Sequence, residues 1–151
     1  MVGKPVSNEN STRAAAIAQA PARVLMSAWQ ELGLDPEFEL LRGPETGLVS
    51  LRGRIGGGGA PFPFGDATAT RASVKLSDGR VGHAMLMGRD GKRTTIAAVI
   101  NALCHAPDDA ALIDKKLITR LSASTKLRDD KRQAETAATR VDFFTMVRGE
   151  D

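Results

Sequence analysis

Arg52 and Arg54 stand two residues apart, immediately ahead of the run Gly56-Gly57-Gly58-Gly59. In an extended strand that spacing sets both guanidinium groups on one face. A glycine run lets the backbone turn several N–H groups outward in conformations other residues avoid, as a loop cradling phosphate requires. A second basic string, Gly88-Arg89-Asp90-Gly91-Lys92-Arg93-Thr94, leads into helical sequence. A helix start offers an anion free N–H groups and about half a positive charge. Each feature also has a plainer reading: alternating polar residues usually face water, and glycine runs usually connect. Neither string is a nucleotide-binding P-loop. No Lys-Ser/Thr pair follows the four glycines; in the second string position 86 is Leu rather than Gly, and Arg93 stands where Ser or Thr is required.

The remaining reactive groups are few. The chain has one Cys, two His and no Tyr in 151 residues. A lone Cys104 cannot close an intrachain disulfide, which excludes a disulfide-stapled secreted scaffold and suits a reducing compartment. Cys104, His83 and His105 cannot complete a four-ligand zinc site by themselves. Cys104 and His105 adjoin at a helix end, where neighbours diverge by about 100 degrees, so they share no metal and Cys104 reads as inert packing. Lys and Arg total 21 against 18 Asp and Glu, with a sequence pI near 9.4. That mild excess, with 4% aromatic residues, gives few stacking platforms for single-stranded nucleic acid. No stretch approaches the roughly 20 apolar residues of a membrane span, and the start MVGKPVSNEN lacks the apolar centre of a secretory signal. A cytoplasmic protein is expected.

The elements that must position the arginines and glycines read as α+β: an antiparallel sheet of about four strands with helices before and after it. Residues 1–10 are expected as a disordered tail and residues 11–151 as a single domain. Ser11 or Thr12 caps a first helix. Ile17, Val24, Leu25, Ala28 and Leu32 recur at helical spacing up to Gly33, with Pro21 splitting the region into two helices. Phe38 and Leu40 share a face of a short strand. After a turn over residues 43–47, Leu48, Val49 and Leu51 begin a second strand that carries Arg52 and Arg54. Pro61 and Pro63 stiffen the exit from the glycine run, with Phe62 and Phe64 anchoring it to the core or to another subunit.

Asp78-Gly79 predicts a hairpin with a two-residue type I′ turn. Counting outward pairs Leu76 with Val81, Val74 with His83, Ala72 with Met85 and Thr70 with Met87 on one apolar face. His83 then reads as a buried, hydrogen-bonded histidine rather than a ligand or general base, and Arg71, Ser73 and Lys75 extend a basic surface on the opposite face. Ile96, Val99, Ile100 and Leu103 mark a helix after the hairpin. Leu112, Ile113, Leu117 and Leu121 mark another after Pro107. Residues 124–140 form a charged helical region with the thin stripe Leu127, Ala134, Ala138 and Val141, either solvated or laid against a partner. The ending Val141-Asp142-Phe143-Phe144-Thr145-Met146-Val147 is apolar on both faces of an extended segment, which demands burial in its own sheet or in another chain.

Several strings occur together in order: Glu45-Thr46-Gly47-Leu48-Val49, Arg54-Ile55-Gly56-Gly57, Gly65-Asp66-Ala67-Thr68, Thr70-Arg71, Gly88-Arg89-Asp90 and Arg140-Val141-Asp142-Phe143-Phe144-Thr145-Met146-Val147-Arg148-Gly149. At this length the combination resembles the PhnG family, small subunits of the bacterial carbon–phosphorus lyase core complex. Residues 1–10 and 106–139 carry little of the resemblance. It implies an accessory, non-catalytic subunit working with PhnH, PhnI and PhnL. Together these transfer the ribose triphosphate part of ATP to methylphosphonate and release adenine. A PhnJ-type radical subunit cleaves the carbon–phosphorus bond later, and the assembly holds two copies of each core chain.

The resemblance also implies that this chain alone holds no catalytic residue, metal or cofactor, ATP being the substrate of the complex. Arg54, Arg71 and Arg89, with the backbone of Gly56, Gly57 and Gly59, are expected to support a polyphosphate site from a neighbouring subunit or to form interface salt bridges. Asp66, Thr70 and Asp90 belong to the same set. Phe62, Arg140, Asp142, Phe143, Phe144 and Met146 are expected at a partner interface. No membrane or nucleic-acid partner is expected. The competing reading is an autonomous small α+β protein that binds an anionic ligand or nucleic acid through its basic sheet face.

Overall fold

Pro21 and Gly33 punctuate the first part of the chain as their backbone chemistry requires. The computed structural model describes residues 8–139. In it α1 (Asn8–Gln19) stops ahead of Pro21, which serves as the N-cap of α2 (Ala22–Leu32), and Gly33 ends α2 at φ 69°. α1 starts before the expected Ser11 or Thr12, so residues 8–10, read as tail, are helical.

Three strands follow: β1 (Phe38–Arg54), β2 (Pro61–Leu76) and β3 (Val81–Met87), antiparallel in the order β1-β2-β3. The expected turn at residues 43–47 is instead absorbed inside one 17-residue β1. Its pairing with β2 slips between Leu40 and Arg42 and again between Arg42 and Glu45, each slip leaving an extra residue on β1. These bulges accommodate Pro44, which has no N–H for a ladder. Two predicted strands therefore become one, and the described sheet has three strands; the extended segment expected at 141–147 lies outside the described residues.

The β2–β3 register also differs from the expected one by a residue: Val74 pairs with Gly82, Ser73 with His83 and Arg71 with Met85. Only Gly79 in this loop has positive φ, at 91°, so Asp78-Gly79 cannot form a type I′ turn. The loop has three residues, closed by Leu76 N–H donating to the Arg80 carbonyl at 2.8 Å. One residue of slip exchanges the two faces of a strand. Gly82, Ala84 and Leu86 consequently face the core side, and His83, Met85 and Met87 the open side.

α3 (Gly91–Leu103) packs on the core side of β2 and β3. α4 (Pro107–Ile113) runs through a π-helical turn at Asp114–Ile118 into α5 (Thr119–Ala138), with no break near Ser124. Leu25, Val74, Val99, Ile100, Ile113, Leu117 and Leu121 are fully buried in one cluster. β1 contributes no buried residue. Beyond Thr125, α5 is exposed along its length, including Leu127 at 71%.

Candidate functional site

Where β3 ends and α3 begins, side chains tie the sheet to the helical layer. Thr70 is buried, donates from Oγ1 to the Gly88 carbonyl at 2.7 Å and lies 2.9 Å from the Thr46 hydroxyl. Its only proton faces Gly88, so Thr46 donates to Thr70 and the relay runs Thr46 to Thr70 to Gly88. The single proton of the Thr70 hydroxyl is therefore committed inside the chain and is not available to donate to a ligand. Asp90 is the N-cap of α3, its carboxylate accepting from Arg93 N–H at 2.9 Å. A carboxylate thus occupies the helix start that the sequence offered to an anion. The Arg93 guanidinium turns away from it and donates to the carbonyls of Ile17, Ala18 and Ala20 at 2.8–3.0 Å, capping the end of α1. Arg89 is exposed beside this start.

From this base β1 and β2 continue past β3 as a two-stranded ribbon, residues 47–54 against 61–68, with no buried residue among those described. Arg54 lies at its tip, opposite Pro61, and reaches the Gly59 carbonyl at 3.4 Å. Arg71 lies at its base, opposite Glu45, whose carboxylate it meets at 3.0 Å. Nine strand residues separate these levels, roughly 30 Å at ~3.4 Å each. The structure therefore keeps Arg54 and Arg71 apart, and Arg71 forms a salt bridge within its own chain. Asp66 accepts from the Ser50 hydroxyl across the ribbon at 2.7 Å.

The glycine run forms a tight 3-10 turn, with Gly56 at φ 60°. The N–H groups of Gly58 and Gly59 both donate to the Ile55 carbonyl, so these two amides do not point outward as a phosphate cradle would need. Phe62 and Phe64 project from one face of β2, ring centroids 6.3 Å apart. The Phe64 ring lies over Gly53, where an added Cβ would meet it at 3.2 Å. Both rings are well exposed, at 41% and 60%, so they do not anchor the turn to this chain's core.

The open sheet face carries Arg71, Ser73, Lys75, His83, Met85 and Met87. Register explains why His83 is exposed rather than buried; its Nδ1 lies 2.8 Å from the Ser73 hydroxyl. Lys75 pairs with Glu39 at 3.2 Å. Cys104 is half-buried, and burial pushes its thiol up to about 11, against an ordinary value of 9.0. Among the described residues no group of three His, Cys, Asp or Glu side chains is arranged to hold a metal.

Sequence reasoning missed the long-range ion pairs. Arg13 holds Asp114 through two bonds of 2.7 Å, raising the guanidinium's pKa and lowering the carboxyl's. Arg80 joins Asp78, Asp109 and the Leu103 carbonyl, and Arg120 joins Glu31. The one local signal was Asp78, two residues from Arg80 in the hairpin loop; the other partners meet only through the fold. Arg140, Asp142, Phe143, Phe144 and Met146 lie outside the described residues.

Among the described residues, nothing covers the open face of the sheet or the ribbon at its end. The chain belongs to the PhnG family: the family described as "Phosphonate metabolism protein PhnG" matches residues 9–149. It is 48% identical over 135 residues to a protein of Rhizobium meliloti (strain 1021) named alpha-D-ribose 1-methylphosphonate 5-triphosphate synthase subunit PhnG, an alignment covering 89% of this chain and 86% of that relative.

Proposed function

We propose that this chain is an accessory subunit of alpha-D-ribose 1-methylphosphonate 5-triphosphate synthase in phosphonate catabolism. The observation that carries the reading is the 48% identity to a subunit so named, spread over nearly the whole of both chains. The exposed Leu48, Phe62, Phe64, Met85 and Met87 support it, because a cytoplasmic protein working alone seldom leaves so many large apolar groups uncovered in one region. In this reading PhnH-, PhnI- and PhnL-type partners supply the chemistry that moves ribose triphosphate from ATP to methylphosphonate. A PhnJ-type subunit shares the core assembly, which contains two copies of this chain.

Arg54 and Arg89 are the arginines of the expected set without a carboxylate partner among the described residues, and so the ones disposed to meet a polyphosphate or a partner's acid. Phe143, Phe144 and Met146 fill a partner interface. Co-expression of this chain with PhnH-, PhnI- and PhnL-type partners, followed by an adenine-release assay with ATP and methylphosphonate, tests the proposal. Activity is expected to need the chain. A complex that forms and turns over equally well without it would refute the reading.

A further inference from the structure

We infer that the β1–β2 ribbon, residues 47–54 and 61–68, inserts into an apolar cleft bordered by carboxylates on a different subunit of the synthase. The inference rests on the subunit reading and specifies how the subunit is held. It starts from an energetic mismatch. A lone two-stranded hairpin is at best marginally stable in water, yet this one extends roughly 27 Å, at ~3.4 Å per residue, beyond the last pairing with β3. None of its described residues is buried. Leu48 is 70% exposed and Phe64 60%, and at the tip Ile55 is 77% exposed. Apolar side chains thus lie on a ribbon that the other described residues leave uncovered.

Charge selects the occupant. Arg52, Arg54 and Asp66 are the charged residues of the ribbon, and Asp66 already accepts a bond from Ser50. Lower on the sheet, Glu39 is matched by Lys75, and Glu45 by Arg71 and Arg42, whereas Arg52 and Arg54 give the ribbon's outer half two guanidinium groups without a carboxylate partner among the described residues. A second copy docking ribbon to ribbon would bring together four guanidinium groups with two engaged carboxylates, a like-charge contact that disfavours self-association. A different chain offering carboxylates around an apolar slot satisfies both the arginines and the Phe62–Phe64 pair.

The test compares the full-length wild type with F62S/F64S and R52E/R54E, each co-expressed with the PhnH-, PhnI- and PhnJ-type subunits. Because these side chains are exposed, both variants are expected to keep the wild-type unfolding midpoint as free chains while co-purification falls at least tenfold. Hydrogen exchange of ribbon amides in the wild type should slow at least tenfold on entering the complex, a readout that needs no variant. Wild-type levels of co-purification by both variants, or unchanged ribbon exchange in an assembled complex, would overturn the inference and leave the subunit reading standing. A free wild-type dimer that either variant converts to a monomer would overturn it in favour of a second copy. A wild-type chain that never co-purifies would remove the subunit reading together with it.

Discussion

Gly82→Ala should be among the most damaging single-methyl additions in this protein. Gly82 lies where β3 crosses α3, and an added Cβ would fall 2.1 Å from the Ala98 carbonyl oxygen, 2.5 Å from Ala102 N and 2.7 Å from Ala102 Cβ. Ordinary contacts of a Cβ begin near 3.4 Å, so strand and helix must separate by about 1.3 Å. The atoms in the way are mainly backbone, and no rotamer change can relieve them. A radial gap of about 0.5–1 Å forfeits a quarter to a half of a dispersion contact, and here it would open beside the fully buried Val74, Val99 and Ile100. The cost is roughly 3 kcal/mol or more, the upper end for overpacking, against about 5–15 kcal/mol for a whole domain. At about 2–4 °C per kcal/mol for this size, Tm should fall by about 6–12 °C. Urea unfolding followed by far-UV circular dichroism and by the emission of Trp29, the only tryptophan, measures the loss. Gly47→Ala is the control, since an added Cβ there meets nothing within 4 Å, and should stay within about 0.5 kcal/mol. His83→Ala, on the open face, should also be mild. A mild Gly82→Ala beside a costly His83→Ala would refute the register and the packing argument built on it.

Arg93→Ala removes the guanidinium that holds three carbonyls at the end of α1. A loss of about 2–3 kcal/mol is expected for charged-donor bonds, and a loss below about 0.5 kcal/mol in urea unfolding would contradict the capping role. Arg13 holds the Asp114 carboxyl below its ordinary 3.8. The pair's stabilisation is therefore complete above the unfolded value of 3.8 and is lost as pH falls through the lower folded value. With the Asp114 side chain 42% exposed, solvent screening limits the contribution to about 1 kcal/mol; Asp114→Asn should remove it at neutral pH and flatten the acid limb of stability against pH, whereas parallel curves would refute it. The Cys104 thiol, raised to about 11 by burial, should react with iodoacetamide about tenfold faster per pH unit through pH 9 and 10. A plateau near the ordinary thiol value would show that the group is not desolvated.

The sequence made the helices legible where backbone chemistry punctuates them. Pro21 lacks the N–H that an unbroken helix would need, and Gly33 accepts a left-handed conformation. The sheet was harder to read because β3 is apolar in both registers. Val81, Met85 and Met87 form one plausible face, and Gly82, Ala84 and Leu86 the other. The choice between them depends on how closely α3 can approach, which Gly82, Ala98 and Ala102 decide through a contact distant in sequence. The turn signal misled for a related reason. Asp78-Gly79 fits a two-residue turn, but the loop needs positive φ only at Gly79, and its three residues shift the register by one. At residues 43–47, glycine and proline mark bulges as readily as turns, since both relax or interrupt a ladder.

The site followed the same division. The types of its residues were readable, but their convergence was not. Thr70 and Asp90 complete internal bonds, and Arg71 pairs with Glu45; distance along a strand keeps Arg54 from joining Arg71. The ribbon's composition carries a further physical consequence. Pro61 and Pro63 pair opposite Arg54 and Arg52, so the outer end of β2 lacks N–H donors at these two alternate positions. Proline and charge are the devices by which exposed strands resist templated pairing with arbitrary chains. Phe62 and Phe64 nevertheless remain exposed between and beside these prolines. A segment whose backbone is guarded while its aromatic side chains are presented favours recognition by shape over recognition by strand addition. A receptor for the ribbon should therefore contact side chains, and that predicts greater loss of assembly from Phe62 and Phe64 changes than from substitutions that alter only the outer backbone edge.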